Sequence, residues 1–300
     1  MTSRIAVVGS INQDSFVYVE SFPKAGETVL AKDGATGLGG KGANQAIAAA
    51  LLGAPVSFIG AVGSDAAGSS ALAALSADGV ATDTIQARDD AATGAAYITV
   101  DAAGENTIIV HSGANAVVTG ADVDAALARV DAPALVLAQG ELPAVAVDAA
   151  AAWARAAGVR FVLNLAPVIE VDPATLSAAD PLVVNEGEAA ELLGHASDDP
   201  AGELAARLGT SVVVTLGAAG ASVAADGRTW TQPSPKPTGV VDTTGAGDAF
   251  VGALAAALAA GHPLEFAVRV GVAAGSFAVQ SAGTTTSYAR ETTLAALAGV

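Results

Sequence analysis

The stretch DTTGAGDAF, residues 242–250, sets an aspartate, Asp248, directly behind Gly245-Ala246-Gly247 and ahead of a long apolar run. Asp248, Phe250, Leu254 and Leu258 fall at helical spacing, and Gly261 with Pro263 supply stop signals, which predicts a helix running to about Ala260. The glycine turn then lies at that helix's N-terminus, where unpaired backbone N–H groups and the positive dipole end make an anion site. Two readings are open. Gly245 caps the helix and Asp248 complements the dipole; or Asp248 takes a hydroxyl proton while the loop N–H groups hold charge building on a transferring phosphoryl group.

Outward from this stretch the pattern is strand, then helix, repeated. Short apolar runs at Ile5–Val8, Val56–Val62, Leu135–Leu137, Phe161–Leu165, Leu182–Val184 and Val212–Leu216 read as buried strands. Helical stretches between them, Ala43–Leu52, Ser69–Ala77 and Val145–Ala157, are closed by Gly53, Gly79 and Gly158. Apolar strands separated by helices imply a mostly parallel sheet covered on both faces, a three-layer α/β/α sandwich. Two pieces break the rhythm. Residues 12–37 hold no good helix, and Tyr97–Asp101 with Asn106–His111 reads as a hairpin turned at Ala103-Gly104. The expectation is one domain over residues 1–300, with a small β-sheet lid from about 12–37 and 95–112, its polar face in solvent. QPSPKP, 232–237, reads as a rigid connector.

Composition narrows the function. With 30 acidic residues against 13 basic ones the formal net charge is −17, which argues against nucleic acid and against an anionic membrane surface. Hydrophobic residues reach 52%, much of it alanine, and aromatics only 4%, so the core is expected to be built from closely approaching helices. The absence of cysteine fits a reducing compartment and removes thiol chemistry. No run approaches the roughly 20 apolar residues that span a bilayer, and the N-terminal apolar run is short for a signal peptide, so a cytoplasmic location is expected.

Three further segments carry chemistry. GLGGKGANQA, 37–46, contains G-x-G-x-x-G at Gly37, Gly39 and Gly42, but it does not follow the first strand, and the position 20 beyond Gly42 is Val62 instead of an acidic residue. Gly42 also stands where a P-loop needs Ser or Thr after Lys41. A close-approaching backbone with Lys41 and Asn44 suits a polyhydroxylated or anionic ligand equally well. NEGE, 185–188, has capping-box spacing between Asn185 and Glu188, or else places a carboxylate and an amide near a hydrated magnesium ion. TLGAAG, 215–220, is a strand end entering a glycine turn. The ends of the expected strands carry Asn12 and Asp14, Glu141, Asn185 and Glu188, and Thr215 with Gly217, and ligands in open α/β sheets lie at that edge. The histidines, His111, His195 and His262, are scattered without metal-ligand spacing, and no G-x-S-x-G elbow occurs.

Taken together, VVGSINQD (7–14), GLGGKGANQA (37–46), GEN with HSGAN (104–106 and 111–115), LNLAP (163–167), NEGEAAELLG (185–194), VTLGAAG (214–220) and DTTGAGDAFVGAL (242–254) resemble the ribokinase family of PfkB-type carbohydrate kinases over nearly the whole chain. The resemblance implies an ATP-dependent kinase for a sugar, D-ribose first, with deoxyribose, a nucleoside or another sugar as alternatives. It implies Asp248 as base and Gly245, Ala246 and Gly247 as anion hole. Asn12, Asp14, Gly40, Lys41, Asn44 and Glu141 would hold sugar hydroxyls. Asn185 and Glu188 would organise the Mg²⁺–phosphate region, and Thr215, Gly217 and Gly220 would line the ATP side. An activating K⁺ would rest on Asp242, Thr244, Ala278, Ser281, Gly283 and Ser287. The family's lid often serves as a homodimer clasp. Two departures stand out: QSAGTTTS (280–287) has threonines where many relatives carry Ala, Gln or Pro, and Gly271 falls in the helix that would border the adenine. An NAD-dependent oxidoreductase using the 37–42 loop and a catalytically silent sugar-binding protein are the alternatives of other classes.

Overall fold

The structure is a computed structural model and describes residues 4–290 and 292–299. Residues 1–3, the start of the segment read above for a targeting signal, lie outside the described residues. From the amino end the chain forms β1 (Ile5–Val8), β2 (Asn12–Tyr18), β3 (Asp33–Gly39), α1 (Lys41–Leu51), β4 (Val56–Gly63) and α2 (Ala66–Ala77). Four strands follow, β5 (Val80–Ala81), β6 (Ile85–Arg88), β7 (Gly94–Val100) and β8 (Asn106–His111). The middle alternates through α3 (Gly120–Leu127), β9 (Leu135–Gln139), α4 (Ala144–Ala157), β10 (Arg160–Asn164), α5 (Pro173–Ala178) and β11 (Ala179–Asn185). It continues with α6 (Glu186–Leu193), α7 (Pro200–Leu208) and β12 (Val212–Thr215). Strands β13 (Ala221–Ala225) and β14 (Arg228–Gln232) and helices α8 (Ala246–Ala259) and α9 (Leu264–Ala278) come next, and the short α10 (Leu294–Ala298) follows them.

The main sheet runs β14-β13-β12-β11-β10-β9-β1-β4-β5, with β6 also on β4. Pairings from β12 through to β5 are parallel, and β1 is central, in register with both β4 and β9. Its side chains alternate between two cores. Ile5 and Val7 join the core built with α1, α8 and α9, and Ala6 and Val8 the core built with α3, α4 and α7. Both faces are therefore covered, as the run of fully buried strands requires. The α/β sandwich with its mostly parallel sheet is the one expected, and the helix-ending glycines Gly53, Gly79 and Gly158 all take positive φ. The antiparallel β13–β14 edge hairpin was not read from the sequence, although its turn carries the Asp-Gly signal: Asp226 and Gly227 have φ of 51° and 70°.

A second sheet of four strands has the order β3-β2-β7-β8. The expectation of a polar solvent face fails there. Ile108 and Val110 share a face with Asp14, while Val17, Tyr97 and Ile109 fall on the other, and all five apolar residues are exposed. β8 is an edge strand without a covering layer, so alternation cannot hide either face.

Helix α8 is buried from Asp248 to Ala259, because it lies between α1, α9 and the sheet. One residue sets how near α1 comes. A Cβ added at Gly252 would sit 2.5 Å from both the Ala48 side chain and the Gln45 carbonyl oxygen. At the other end of α1, a Cβ on Gly42 would strike Gly9 Cα at 2.6 Å and the Ser10 backbone nitrogen at 2.5 Å, so α1 is seated directly on the end of β1. Gly252→Ala is expected to force the helices apart and cost about 1–3 kcal/mol by overpacking. A chemical denaturation midpoint equal to the parent's would contradict that reading of the α1–α8 contact.

Candidate active site

The carboxyl ends of the parallel strands present Ser10 after β1, Gln139 and Glu141 at β9, Asn164 at β10, Asn185 at β11 and Thr215 at β12. Opposite them stand the N-termini of α1 and α8. Gly245, with φ of 76°, is the N-cap of α8, and no side chain caps that terminus. Ala246 N–H turns back to the Thr243 carbonyl at 3.3 Å, and the N–H groups on either side of it, of Gly245 and Gly247, face no capping side chain. Tyr288 closes the turn from behind, its hydroxyl donating to the Gly245 carbonyl at 3.2 Å. Burial, with the Asp248 charge adding to it, drives the Tyr288 phenol well above its usual range, so the hydroxyl keeps its proton.

Asp248 sits in the first turn of α8 and is 8% exposed. Its Oδ2 accepts from Asn44 Nδ2 at 3.0 Å, and its Oδ1 from Gln45 Nε2 at 2.9 Å. Both donors come from α1, one turn from the Gly252 contact. The first turn of α1 is held by a carboxylate from across the sheet: Glu141 Oε2 accepts from the Lys41 backbone N–H at 2.9 Å and from Ser10 Oγ at 2.5 Å. Glu141 therefore does the capping that Gly40, the N-cap of α1, cannot.

Lys41 is the cation of this group. Burial pulls its ammonium down, but Asp248, Glu141 and Glu188 outweigh that and hold it above the usual lysine range. Asp14 shows the opposite effect: burial first, then the charges of Glu141 and Asp248, raise its carboxyl to about 7. Burial likewise raises Glu188, against the Asn185 N–H and Lys41. Asn185 and Glu188 form the capping box their spacing predicts, with reciprocal bonds of 2.8 Å, and both still line a cavity of about 130 Å³ with Lys41, Thr215, Gly245, Gly247 and Asp248. A cavity of about 730 Å³ lies at the opposite edge of the sheet, between α7 and the β13–β14 hairpin, and none of the converging residues reaches it.

Three oxygens in the group have no partner: Asp14 Oδ1, Asn44 Oδ1 and Gln139 Oε1 are buried acceptors without a hydrogen bond among the described residues, and the last lies against the Gly9 backbone. Buried acceptors are rarely left empty, and those that are call for donors from a ligand or water. Asn12 is fixed from behind, its Oδ1 accepting from Asn115 Nδ2 at 2.8 Å, and Asn115 also bonds Ile11 N–H and C=O at 3.0 Å each. Asn115, Ser10, Gln45, Gln139 and Asn164 were not singled out as site residues from sequence. Gln45 lay within the GANQA block, and Asn164 and Gln139 at strand ends, where a polar residue closing an apolar run was the available signal.

The remaining residues lie elsewhere. Gly217 is exposed in the turn after β12, and Gly220 is buried beside Gln232 and Ser234 at the edge hairpin. Asp242 Oδ1 accepts from Thr244 N–H at 2.9 Å and its Oδ2 from Gly283 N–H at 3.0 Å, joining the 242–244 and 281–287 segments. Burial pushes its carboxyl up, but these N–H donors prevail and hold it below the usual range. The Ala278 carbonyl accepts from Ser281 N–H, and buried Ser287 turns its hydroxyl to the Thr284 carbonyl. Gly271 faces Phe250 in the α8–α9 contact, where a Cβ would lie 3.0 Å from the ring, so its missing side chain is space for helix packing. The G-x-G-x-x-G segment ends a strand of the second sheet before α1, which is not the βαβ setting of a dinucleotide loop. No helix among the described residues is long and apolar enough to cross a membrane.

Comparison with known proteins gives the same direction. The ribokinase of Bacillus subtilis is 39% identical over 279 residues, covering 93% of this chain and 94% of its own. A bifunctional ribokinase/ribose-5-phosphate isomerase A of Fructilactobacillus sanfranciscensis is 40% identical over 262 residues, and the chain spans 48% of that longer protein. The structure of Arabidopsis thaliana ribokinase complexed with ribose and ATP matches with a TM-score of 0.90 at 32% identity, over 100% of both chains. The family profile described as pfkB family carbohydrate kinase matches residues 2–291. The chain belongs to the pfkB family of carbohydrate kinases.

Proposed function

We propose that this sugar kinase transfers the γ-phosphoryl group of ATP to the primary 5-hydroxyl of D-ribose. The observation that carries the reading is the pair of empty buried acceptors, Asp14 Oδ1 and Asn44 Oδ1, set beside Asp248: a ligand rich in hydroxyl donors satisfies them and brings one hydroxyl to a carboxylate. In the transfer Asp248 takes the proton from O5, O5 bonds to the γ-phosphorus, and the bond from that phosphorus to the β–γ bridging oxygen breaks to release ADP. Charge on the phosphoryl oxygens meets the Gly245-Ala246-Gly247 anion hole, with Ala246 N–H released from the Thr243 carbonyl, and the Lys41 ammonium. Asn12, Asp14, Gly40, Lys41, Asn44 and Glu141 form the sugar side. Thr215, Gly217 and Gly220, with Asn185, form the nucleotide side.

The partly buried carboxylate of Glu188, near Lys41, would receive the hydrated Mg²⁺ that accompanies ATP, which would supply positive charge to the phosphates. A potassium ion fits the oxygen-rich pair of segments holding Asp242, Thr244, Ala278, Ser281, Gly283 and Ser287, where it adds positive charge behind the anion loop. The chain acts as one domain whose second sheet is the lid, and the exposed Tyr97, Ile108, Ile109 and Val110 suit a homodimer clasp. A cytoplasmic location follows from the substrates.

Asp248→Asn is expected to lower kcat for ADP formation from D-ribose by roughly 10²–10⁴-fold, the range of a lost general base. Retention of full turnover would refute the assignment. Asp14 supplies a second test. With a carboxyl at about 7, it is charged above that pH and protonated below it, and the charged form is the better acceptor for sugar hydroxyls. Ribose dissociation constants from calorimetry should therefore rise as pH falls below 7, approaching about tenfold per unit. The rise should vanish in Asp14→Asn. Affinity that stays flat between pH 5.5 and 8 in the parent would rule this role out.

A further inference from the structure

We infer that Gln45 is a positioning residue for Asp248, and that Asn164 and Gln139 hold it so that the base uses one particular oxygen. The inference rests on Asp248 being the base. Gln45 is 0% exposed, so it stands behind the site and has no access to substrate. Its Nε2 donates both to Asp248 Oδ1 at 2.9 Å and to Asn164 Oδ1 at 2.8 Å, and its Oε1 accepts from Gln139 Nε2 at 2.9 Å.

The direction of these bonds is forced. Asn164 Nδ2 faces the Val183 carbonyl at 3.0 Å, which can only accept, so Asn164 must offer Oδ1 to Gln45. Gln45 must then present its NH₂ to Asn164 and to Asp248, and its oxygen to Gln139. A flipped Gln45 would set its oxygen against both the carboxylate and the Asn164 oxygen, and its NH₂ against the NH₂ of Gln139. A strand carbonyl on β11 thereby fixes, through two buried amides, which face of Gln45 meets the base.

The two carboxylate oxygens are consequently unequal. Oδ1 is bound to a buried amide that has no other place to go. Oδ2 is bound to Asn44, whose own oxygen is buried and without a partner among the described residues. Asn44 can exchange its bond for a substrate hydroxyl, so Oδ2 is the oxygen that receives the O5 proton, and Gln45 keeps the carboxylate from rotating as it does so.

The test is Gln45→Met, which keeps the chain length and deletes the amide, assayed with MgATP and D-ribose alone and combined with Asp248→Asn. Gln45→Met is expected to lower kcat about 10–10²-fold, the loss that accompanies a small misplacement of a catalytic group, with ribose KM within about threefold of the parent. In the Asp248→Asn background it should cause no further loss. Undiminished kcat in folded Gln45→Met, or an equal loss on top of Asp248→Asn, would overturn the inference while leaving the base assignment standing. Full activity of Asp248→Asn itself would overturn the base assignment instead. Should Gln45→Met not fold by circular dichroism, Gln139→Met decides: it strips the Gln45 oxygen of its donor, loosens the amide behind the base and should lower kcat about 3–10-fold, and an unchanged kcat would refute the arrangement.

Discussion

A carboxylate taken out of water must be met by hydrogen-bond donors, and in this chain that requirement falls on Asp248 at the mouth of α8. Removing such a charge from water costs several kcal/mol unless each oxygen finds a partner. The partners are adjacent side chains of α1, Asn44 and Gln45, and they reach only because the helices touch at Gly252. The α1 terminus is in turn seated on β1 at Gly42 and capped by Glu141 from the end of β9. Close-packed alanine helices with few bulky side chains are thus a geometric condition of the site, since a larger residue at the α1–α8 contact would move the donors out of reach.

The same convergence concentrates negative charge. Asp14, Glu141, Glu188 and Asp248 come together around the ammonium of Lys41, within a chain of net charge −17. The Asp14 carboxyl, raised first by burial, is pushed further by the charges of Glu141 and Asp248. In the free protein one of these carboxylates is close to taking up a proton, and hydroxyl donors offer an alternative way to settle the charge. An anionic co-substrate has to be received where the field is locally reversed, at the N-terminus of α8, which no side chain caps, and at Lys41. That division separates a side rich in acceptors from a side rich in donors, which is the polarity a phosphoryl transfer to an alcohol needs.

The residues legible in the sequence are those whose signal is local. Asp248 behind its glycines, the Asn185–Glu188 capping box and the strand-end polar residues announce themselves by spacing. Gln45 does not, because nothing in an alanine-rich helix says which side chain will face a helix 200 positions away. Asn164 and Gln139 close apolar runs at strand ends, but which partners they meet is set by the register of β9, β10 and β11. Gly271 stands out in the sequence as a glycine within a helix, and in the structure it is the hollow that receives Phe250. The second sheet was legible as strands, but alternation was no guide to its exposure, since strand β8 has no layer over either face.

The most direct measurement is ADP production with MgATP across D-ribose, deoxyribose, fructose, adenosine and 2-keto-3-deoxygluconate, each with and without K⁺. The account predicts turnover concentrated on D-ribose and raised by K⁺. Turnover on another member with ribose inert, or no turnover from folded protein that binds both ribose and ATP, would contradict it.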